Sequence, residues 1–381
     1  MLLQKTQKLI LLALDWAKAF DCISPDFLML CLARFGVPQN FVRVIQAIYT
    51  DRCFYVADAG VDSPTCCQRA GICQGCPLSP FLFSILMTVL ISDAKNKLEA
   101  QGVRLSTNVL TNELLYADDT LIVDTDRDNV QRYMEAIADA GSNYGLSFNW
   151  GKLEILSSAG PCLIPTPSGS HIKQKGSIVY LGSLLQSDGS CGSELSRRLG
   201  EATSVLNKLC RVWSHANISG HRKIQIYVSC VVSKLMYNLP GMWFNTAEVR
   251  KLDAFHNRAL RKILHIPPSY YSRVSNQTVL EWAGQAALSQ TLLKRQLLHM
   301  GRIARRPDED VLRRSIFTDG TFLPTSPTSN RKRGRPRATW AAEVHKRALE
   351  AAGNESALVS FWQATKTAAA AWKRRVTEHC I

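Results

Sequence analysis

No stretch of this 381-residue chain is long and apolar enough to span a bilayer. The longest candidate, Phe81 to Ile91, is interrupted by Ser84 and Thr88 and falls well short of the roughly 20 residues that a spanning helix needs. The start of the chain lacks the charged, apolar and small-residue segments of a secretory leader. Metal-ligand spacing is missing too. Cys73-Gln74-Gly75-Cys76 is a lone C-x-x-C, with no second such pair and no paired histidines to complete a tetrahedral zinc set. Twelve cysteines scattered through a long chain without a leader read as reduced thiols. We expect a soluble intracellular protein, in nucleus or cytoplasm, with no membrane partner and no zinc.

Acidic residues become scarce in the second half. Residues 1–190 carry 15 Lys+Arg against 18 Asp+Glu, whereas residues 191–381 carry 31 against 13. The whole chain has a net charge of +15. Such a division points to carboxylate chemistry in front and a polyanion partner behind, although a solubilising basic surface would look the same. With 46% hydrophobic and 20% charged residues the chain is globular and long enough for two or three domains.

Leu9 to Leu14 is a continuous apolar run of strand length, which fits a strand buried on both faces. Ser24-Pro25 and Gly36 bracket a helix over 25–35, and a second covers 39–50. Two strands are expected between Cys53 and Cys73, and Ser79-Pro80 opens a long helix ending near Gly102. Leu114-Leu115-Tyr116 and Thr120 to Val123, separated by Ala117-Asp118-Asp119, suggest a hairpin. A helix over 126–144 and strands near 152–158 and 178–185 follow. Beyond Ser190 helical spacing dominates, at 193–215, 220–238, 247–265, 277–305, 339–352 and 356–376, with a polar linker over 317–337. No internal repeat is visible.

Three carboxylates stand out by position: Asp15 at the end of the buried strand, and Asp118-Asp119 at a hairpin tip. Acids beside buried strands repel one another and are costly to desolvate, and divalent cations would relieve that cost. Spacing alone favours an exposed turn and an ordinary strand-end residue, because adjacent acids are common in turns.

The neighbouring residues reverse that preference. Tyr116-Ala117-Asp118-Asp119 resembles the Tyr-X-Asp-Asp signature of reverse transcriptases, and Leu14-Asp15-Trp16-Ala17-Lys18-Ala19-Phe20-Asp21 resembles their upstream aspartate motif. Gln74-Gly75-Cys76-Pro77-Leu78-Ser79-Pro80 is similar to the motif before the long palm helix. Gly145 to Lys152 is similar to the lysine motif, and Tyr180-Leu181-Gly182 to the primer grip. The five stand in the family's order over residues 14–182, and their wording is most similar to non-LTR (LINE-type) retrotransposon polymerases. Leu297-Leu298-His299-Met300-Gly301-Arg302 and Arg333-Gly334-Arg335-Pro336-Arg337-Ala338-Thr339-Trp340 look like the tails of such reading frames.

The resemblance implies an α+β fold: a palm of antiparallel sheet with helices on one face, followed by an all-α basic C-terminal region. It implies a palm with partial fingers over 1–189, a helical thumb-like region over 190–316, a basic linker over 317–337 and a helical segment over 338–381. It implies RNA-directed DNA polymerisation, with dNTPs added to a primer 3′-OH on an RNA template. Asp15, Asp118 and Asp119 would hold two Mg²⁺ ions, or Mn²⁺, with Asp119 in support. Backbone at Trp16 and Ala17 would approach the triphosphate. Phe20 would exclude a ribose 2′-OH, Gln74 would bond near the incoming nucleotide, and Gly75 would let backbone approach. Lys152 would protonate the leaving pyrophosphate, although Leu153 stands where relatives often have threonine. Tyr180, Leu181 and Gly182 would form the primer grip.

Phe20 is also readable as a core aromatic, Gln74 as a loop residue and Lys152 as a solvated lysine. Arg331, Lys332, Arg333, Arg335 and Arg337 suit nucleic-acid backbone or a nuclear import signal. Only 14 residues precede Asp15, so upstream fingers and endonuclease segments are expected to be missing, through a truncated copy, an incomplete gene model or a decayed element. A non-catalytic nucleic-acid-binding relic and an intron-maturase-type polymerase remain as alternatives.

Overall fold

The computed structural model describes residues 9–107, 109–158, 160–215, 217–325 and 338–380. Within these the backbone divides into two compact units between Leu181 and Gly182. The basic cluster Arg331, Lys332, Arg333, Arg335 and Arg337 lies outside the described residues.

The first unit starts with β1 (Ile10–Leu14), α1 (Pro25–Phe35) and α2 (Gln39–Tyr49). Two small ribbons follow: β2 (Cys53–Phe54) pairs with β5 (Cys66–Cys67), and β3 (Ala57–Asp58) with β4 (Val61–Asp62). Then come α3 (Ser79–Ala100), β6 (Glu113–Tyr116), β7 (Asp119–Asp124), α4 (Arg127–Ser142), β8 (Glu154–Ser157), β9 (Lys173–Lys175) and β10 (Ser177–Tyr180). The main sheet runs β6-β7-β1-β8-β9.

The apolar run therefore occupies the middle strand, where both edges are paired and both faces covered. Ile10, Leu12 and Leu14 share one core with Ile122 of β7, Leu86 and Leu90 of α3, and Val130 and Ile137 of α4. Alternation turns Leu11, Leu121, Val123 and Leu156 to the opposite face, where they are also buried. Each such Leu, Ile or Val contributes roughly 1.5–3 kcal/mol. Local chemistry sets the helix ends. Pro25 occupies the first turn of α1 and left-handed Gly36 closes it. The Asp126 carboxylate caps α4 by accepting from the Asp128 and Asn129 amides.

Three expectations for this unit need correction. Between Cys53 and Cys73 stand four two-residue strands in two ribbons, not two strands. The sheet is antiparallel except at one edge, where β8 and β9 run parallel. Lys173-Gln174-Lys175 has no apolar alternation, so pattern reading passes over it. The single strand expected over 178–185 is broken at Leu181 (φ 46°) and Gly182 (φ 72°), because neither dihedral fits a strand.

The second unit holds β11 (Ser183–Gln186), α5 (Gly192–Trp213) and α6 (Gly220–Tyr227), the last continuing through a π-helical turn into α7 (Ser233–Leu235). It continues with α8 (Thr246–Ile263), α9 (Ser269–Ser272), α10 (Asn276–Ala283), α11 (Leu288–Ala304) and α12 (Val311–Ile316). It ends with α13 (Trp340–Ala352), α14 (Glu355–Phe361) and α15 (Lys366–His379). The helix expected over 277–305 is two helices, because Gly284 adopts φ 60° and caps α10. That expected over 356–376 is also two, the second capped by Thr365. Among the described residues no helix is long and apolar enough to cross a membrane.

Candidate active site

The centre of the site follows from strand register. β1 and β7 run antiparallel with Leu14 opposite Thr120. One step further lie Asp15 on one strand and Asp119 on the other. Because side chains alternate, both acids share the face of Ala13 and Leu121, away from Leu12 and Leu14. Tyr116 pairs with Asp119, which leaves Ala117-Asp118 as a two-residue hairpin turn. Ala117 sits at φ 52°, a left-handed position that costs a residue with a Cβ on the order of 1 kcal/mol. The Asp119 carboxyl is pushed above the usual carboxylate range, first by burial and then by the charges of Asp118 and Asp15.

Backbone pairing also brings Lys152 to this end of β1. The Asn149 amide donates to the Asp15 carbonyl at 2.8 Å, and the Ala17 amide to the Ser147 carbonyl at 2.8 Å. A 3₁₀ turn over Trp150–Lys152 follows, closed by the Lys152 amide on the Asn149 carbonyl. The Lys152 ammonium thereby stands 3.7 Å from Asp15 Oδ2, with both side chains substantially exposed.

Trp16 is a buried spacer between these parts. Its indole N–H donates to Thr120 Oγ1 at 3.3 Å, and its ring meets Phe148 at 4.4 Å. The Thr120 hydroxyl escapes sequence reading because a threonine inside a strand carries no signal of its own. Phe20 is half-buried and stacks on Phe83, centroids 4.3 Å apart. The Ile72 amide bonds to the Phe20 carbonyl and the Gly71 amide to that of Ile23, tying the glutamine motif to the aspartate motif. Gln74 and Gly75 then form an exposed turn, with Gly75 at φ 89° and the Cys76 amide returning to the Cys73 carbonyl. That φ at the third turn position is one glycine adopts freely. Among the described residues no hydrogen bond or ion pair joins Gln74 or Gly75 to the carboxylates.

Tyr180 ends β10 with its hydroxyl donating to the Leu114 carbonyl at 3.2 Å. Burial, and then the charge of Asp119, push that phenol up to about 12. The Gly182 carbonyl accepts from the guanidinium groups of Arg197 and Arg198. Among the described residues no group of three or more His, Cys, Asp or Glu side chains is placed to hold a metal ion.

A family model described as reverse transcriptase (RNA-dependent DNA polymerase) matches residues 1–185. A "Retrovirus-related Pol polyprotein from type-1 retrotransposable element R2" of Popillia japonica is 26% identical over 67% of this chain and 42% of its own length. The "RNA-directed DNA polymerase from mobile element jockey" of Drosophila melanogaster is 23% identical over 67% of this chain and 28% of its own. Among solved structures, a Candida tropicalis telomerase in complex with a fragment of telomeric RNA aligns over 78% of this chain and 47% of its own, with 12% identity and a TM-score of 0.39. The chain spans less than half the length of these relatives. Motif order, strand register and family match agree: residues 1–185 match the reverse transcriptase family, and the chain is similar to polymerases of non-LTR retrotransposons.

Proposed function

We propose that the first unit is an RNA-directed DNA polymerase that adds dNTPs to a DNA primer 3′-OH on an RNA template. The observation that supports this best is the position of Asp15 and Asp119 one step beyond the Leu14–Thr120 pair, where the charge of Asp15 reaches Asp119, with Asp118 at the adjoining turn. Burial first, and then the charges of Asp118 and Asp15, raise Asp119, a condition that a hard cation relieves. The donors are oxygen only, and Mg²⁺ commonly takes one or two carboxylates with water and substrate phosphates for the rest, so the residues fit. Asp15 and Asp118 would hold the ions and Asp119 would support them. When bound, the metal would lower the pKa of the primer hydroxyl and neutralise triphosphate charge.

The other residues take roles from where they stand. Lys152 Nζ stands beside Asp15 and would donate a proton to the leaving pyrophosphate. Phe20, braced by Phe83, would set a wall against a ribose 2′-OH. The open turn at Gln74-Gly75 leaves backbone free to approach the nucleotide, and the Tyr180-Leu181-Gly182 bend would hold the primer end. Primer extension on an RNA template with Mg²⁺ tests the reading. Wild type should extend and Asp118→Ala should not. Binding of primer and template with no extension by wild type would favour a non-catalytic relic.

A further inference from the structure

The tail motif Leu297 to Arg302 plays no part in the carboxylate site, yet it forms one wall of a cleft of about 790 Å³ in the second unit. Arg295, His299, Arg302 and Arg305 lie along one face of α11, at helical spacings of four, three and three. Lys373 of α15 faces the same space, and no acidic side chain lines it. Among the described residues none of these four Arg and Lys side chains forms an ion pair. Burial and the neighbouring Arg302 hold Arg305 below its ordinary value, and burial with Arg302 and Arg306 lowers His299. The cleft thus gathers positive charge that the protein leaves uncompensated.

Its floor is rigid. The buried Trp372 indole donates to the Leu297 carbonyl at 3.1 Å and lies so close to Gly301 that a Cβ there would overlap it. His299 packs edge-on against Trp340, centroids 5.8 Å apart, and Trp340 donates to the Pro240 carbonyl at 2.8 Å. The first tail motif and Trp340, the last residue of the second, therefore meet beside this cleft.

We propose that the cleft seats the sugar–phosphate backbone of a nucleic-acid strand. Arg295 and Arg305 are ten residues apart, about 15 Å along the helix. At roughly 3.4 Å of rise per nucleotide that length covers about four phosphates, more than one small anion can reach. The proposal deepens the polymerase reading by giving its template or product a seat, and it holds whether or not the carboxylates are active.

The test measures binding of a fluorescent single-stranded RNA to the full chain across a salt series. Arg295, Arg302 and Lys373 are exposed, so R295Q/R302Q/K373Q should keep the wild-type melting temperature. Its affinity should fall about tenfold or more, and its log K against log salt slope should flatten by about 2. A control, K251Q/R258Q/K262Q, removes three exposed charges from α8 and should cost less than about threefold. Equal losses in the two triples would mean a diffuse basic surface and overturn the proposal. Displacement of the RNA by millimolar inorganic phosphate would mean a small-anion site and overturn it too. Loss of primer extension with this pattern intact would count against the polymerase reading alone.

Discussion

The Lys152 ammonium stands 3.7 Å from Asp15 Oδ2 with its side chain 68% exposed. Exposed pairs of this kind contribute at most about 1 kcal/mol. The pair is thus no support for the fold, and its meaning is chemical. Lys152→Ala should leave the denaturant midpoint of the chain almost unchanged. Single-turnover primer extension should slow by about 10²-fold or more, the range of a lost general acid. Lys152→Arg restores charge but gives up its proton far less readily. An arginine variant as fast as wild type would leave charge, not proton transfer, as the lysine's contribution.

Gly141 in α4 touches the other side of the site. A Cβ there would meet the Trp16 ring at 2.7 Å, and that ring is fixed by Phe148 and Thr120. Gly141→Ala should destabilise the first unit by about 1–3 kcal/mol, as overpacking does. Because Trp16 follows Asp15 directly, extension should also fall under conditions where the variant remains folded. Urea melts and extension rates on the same preparation separate the two effects.

His256 makes the second unit sensitive to acid. It is buried, its Nδ1 lies 2.9 Å from the Tyr227 hydroxyl, and burial pushes its pKa down to about 4, against the charge of Asp253. The unfolded chain takes up a proton as pH falls through about 6.5, while the folded one resists until about 4. Stability is therefore flat above that window and falls within it, by about 3 kcal/mol. His299 and His345 are also lowered by burial and slope the same way. Urea melts between pH 7 and 4 should show the loss, and His256→Gln should flatten part of it.

Cys53 and Cys67 face each other across β2 and β5 with sulfurs 3.2 Å apart and exposed. Opposed residues of an antiparallel pair have the Cα separation that a disulfide accepts. Mild oxidation should remove two thiols from the intact chain, read by mass after alkylation. Cys67→Ser should abolish that product.

The main elements of the first unit were legible because their signals are local. The apolar run of β1, the proline and glycine around α1, and the turn acids between β6 and β7 all sit inside a few residues. The position of Asp15 and Asp119 at the ends of neighbouring strands was readable only through the family's motif order, since residues a hundred positions apart leave no periodicity. What failed was of another kind. β9 is held at a sheet edge by its neighbour, not by its own Lys-Gln-Lys composition. The bend at Leu181 needs a left-handed leucine, which no propensity favours. The cleft on α11 escaped because arginines at helical spacing look alike whether they face solvent or a cavity.

Glu194 shows how the start of the second unit, at Gly182, is held. Its carboxylate is fully buried and accepts from Arg197 Nε and Arg198 Nε at 2.7 Å each, and from the Leu184 amide at 3.1 Å. Burial works to raise this acid, but those three donors outweigh it and hold the carboxyl below its ordinary value. The same two arginines bond the Gly182 carbonyl, and Arg198 lies 4.8 Å over the Tyr237 ring. Removing one member of a buried pair strands the other, at a cost of about 3–5 kcal/mol. Glu194→Ala should therefore destabilise the second unit by that order in urea. Because the folded carboxyl is the more acidic, its contribution is present above about pH 4.5 and is lost as pH falls below it. The double variant Glu194→Leu with Arg198→Met removes both charges, though Arg197 then loses one of its two acidic partners. It should recover much of the loss, and a double variant less stable than Glu194→Ala alone would show that the Gly182 carbonyl, not the ion pair, is what the arginines chiefly serve.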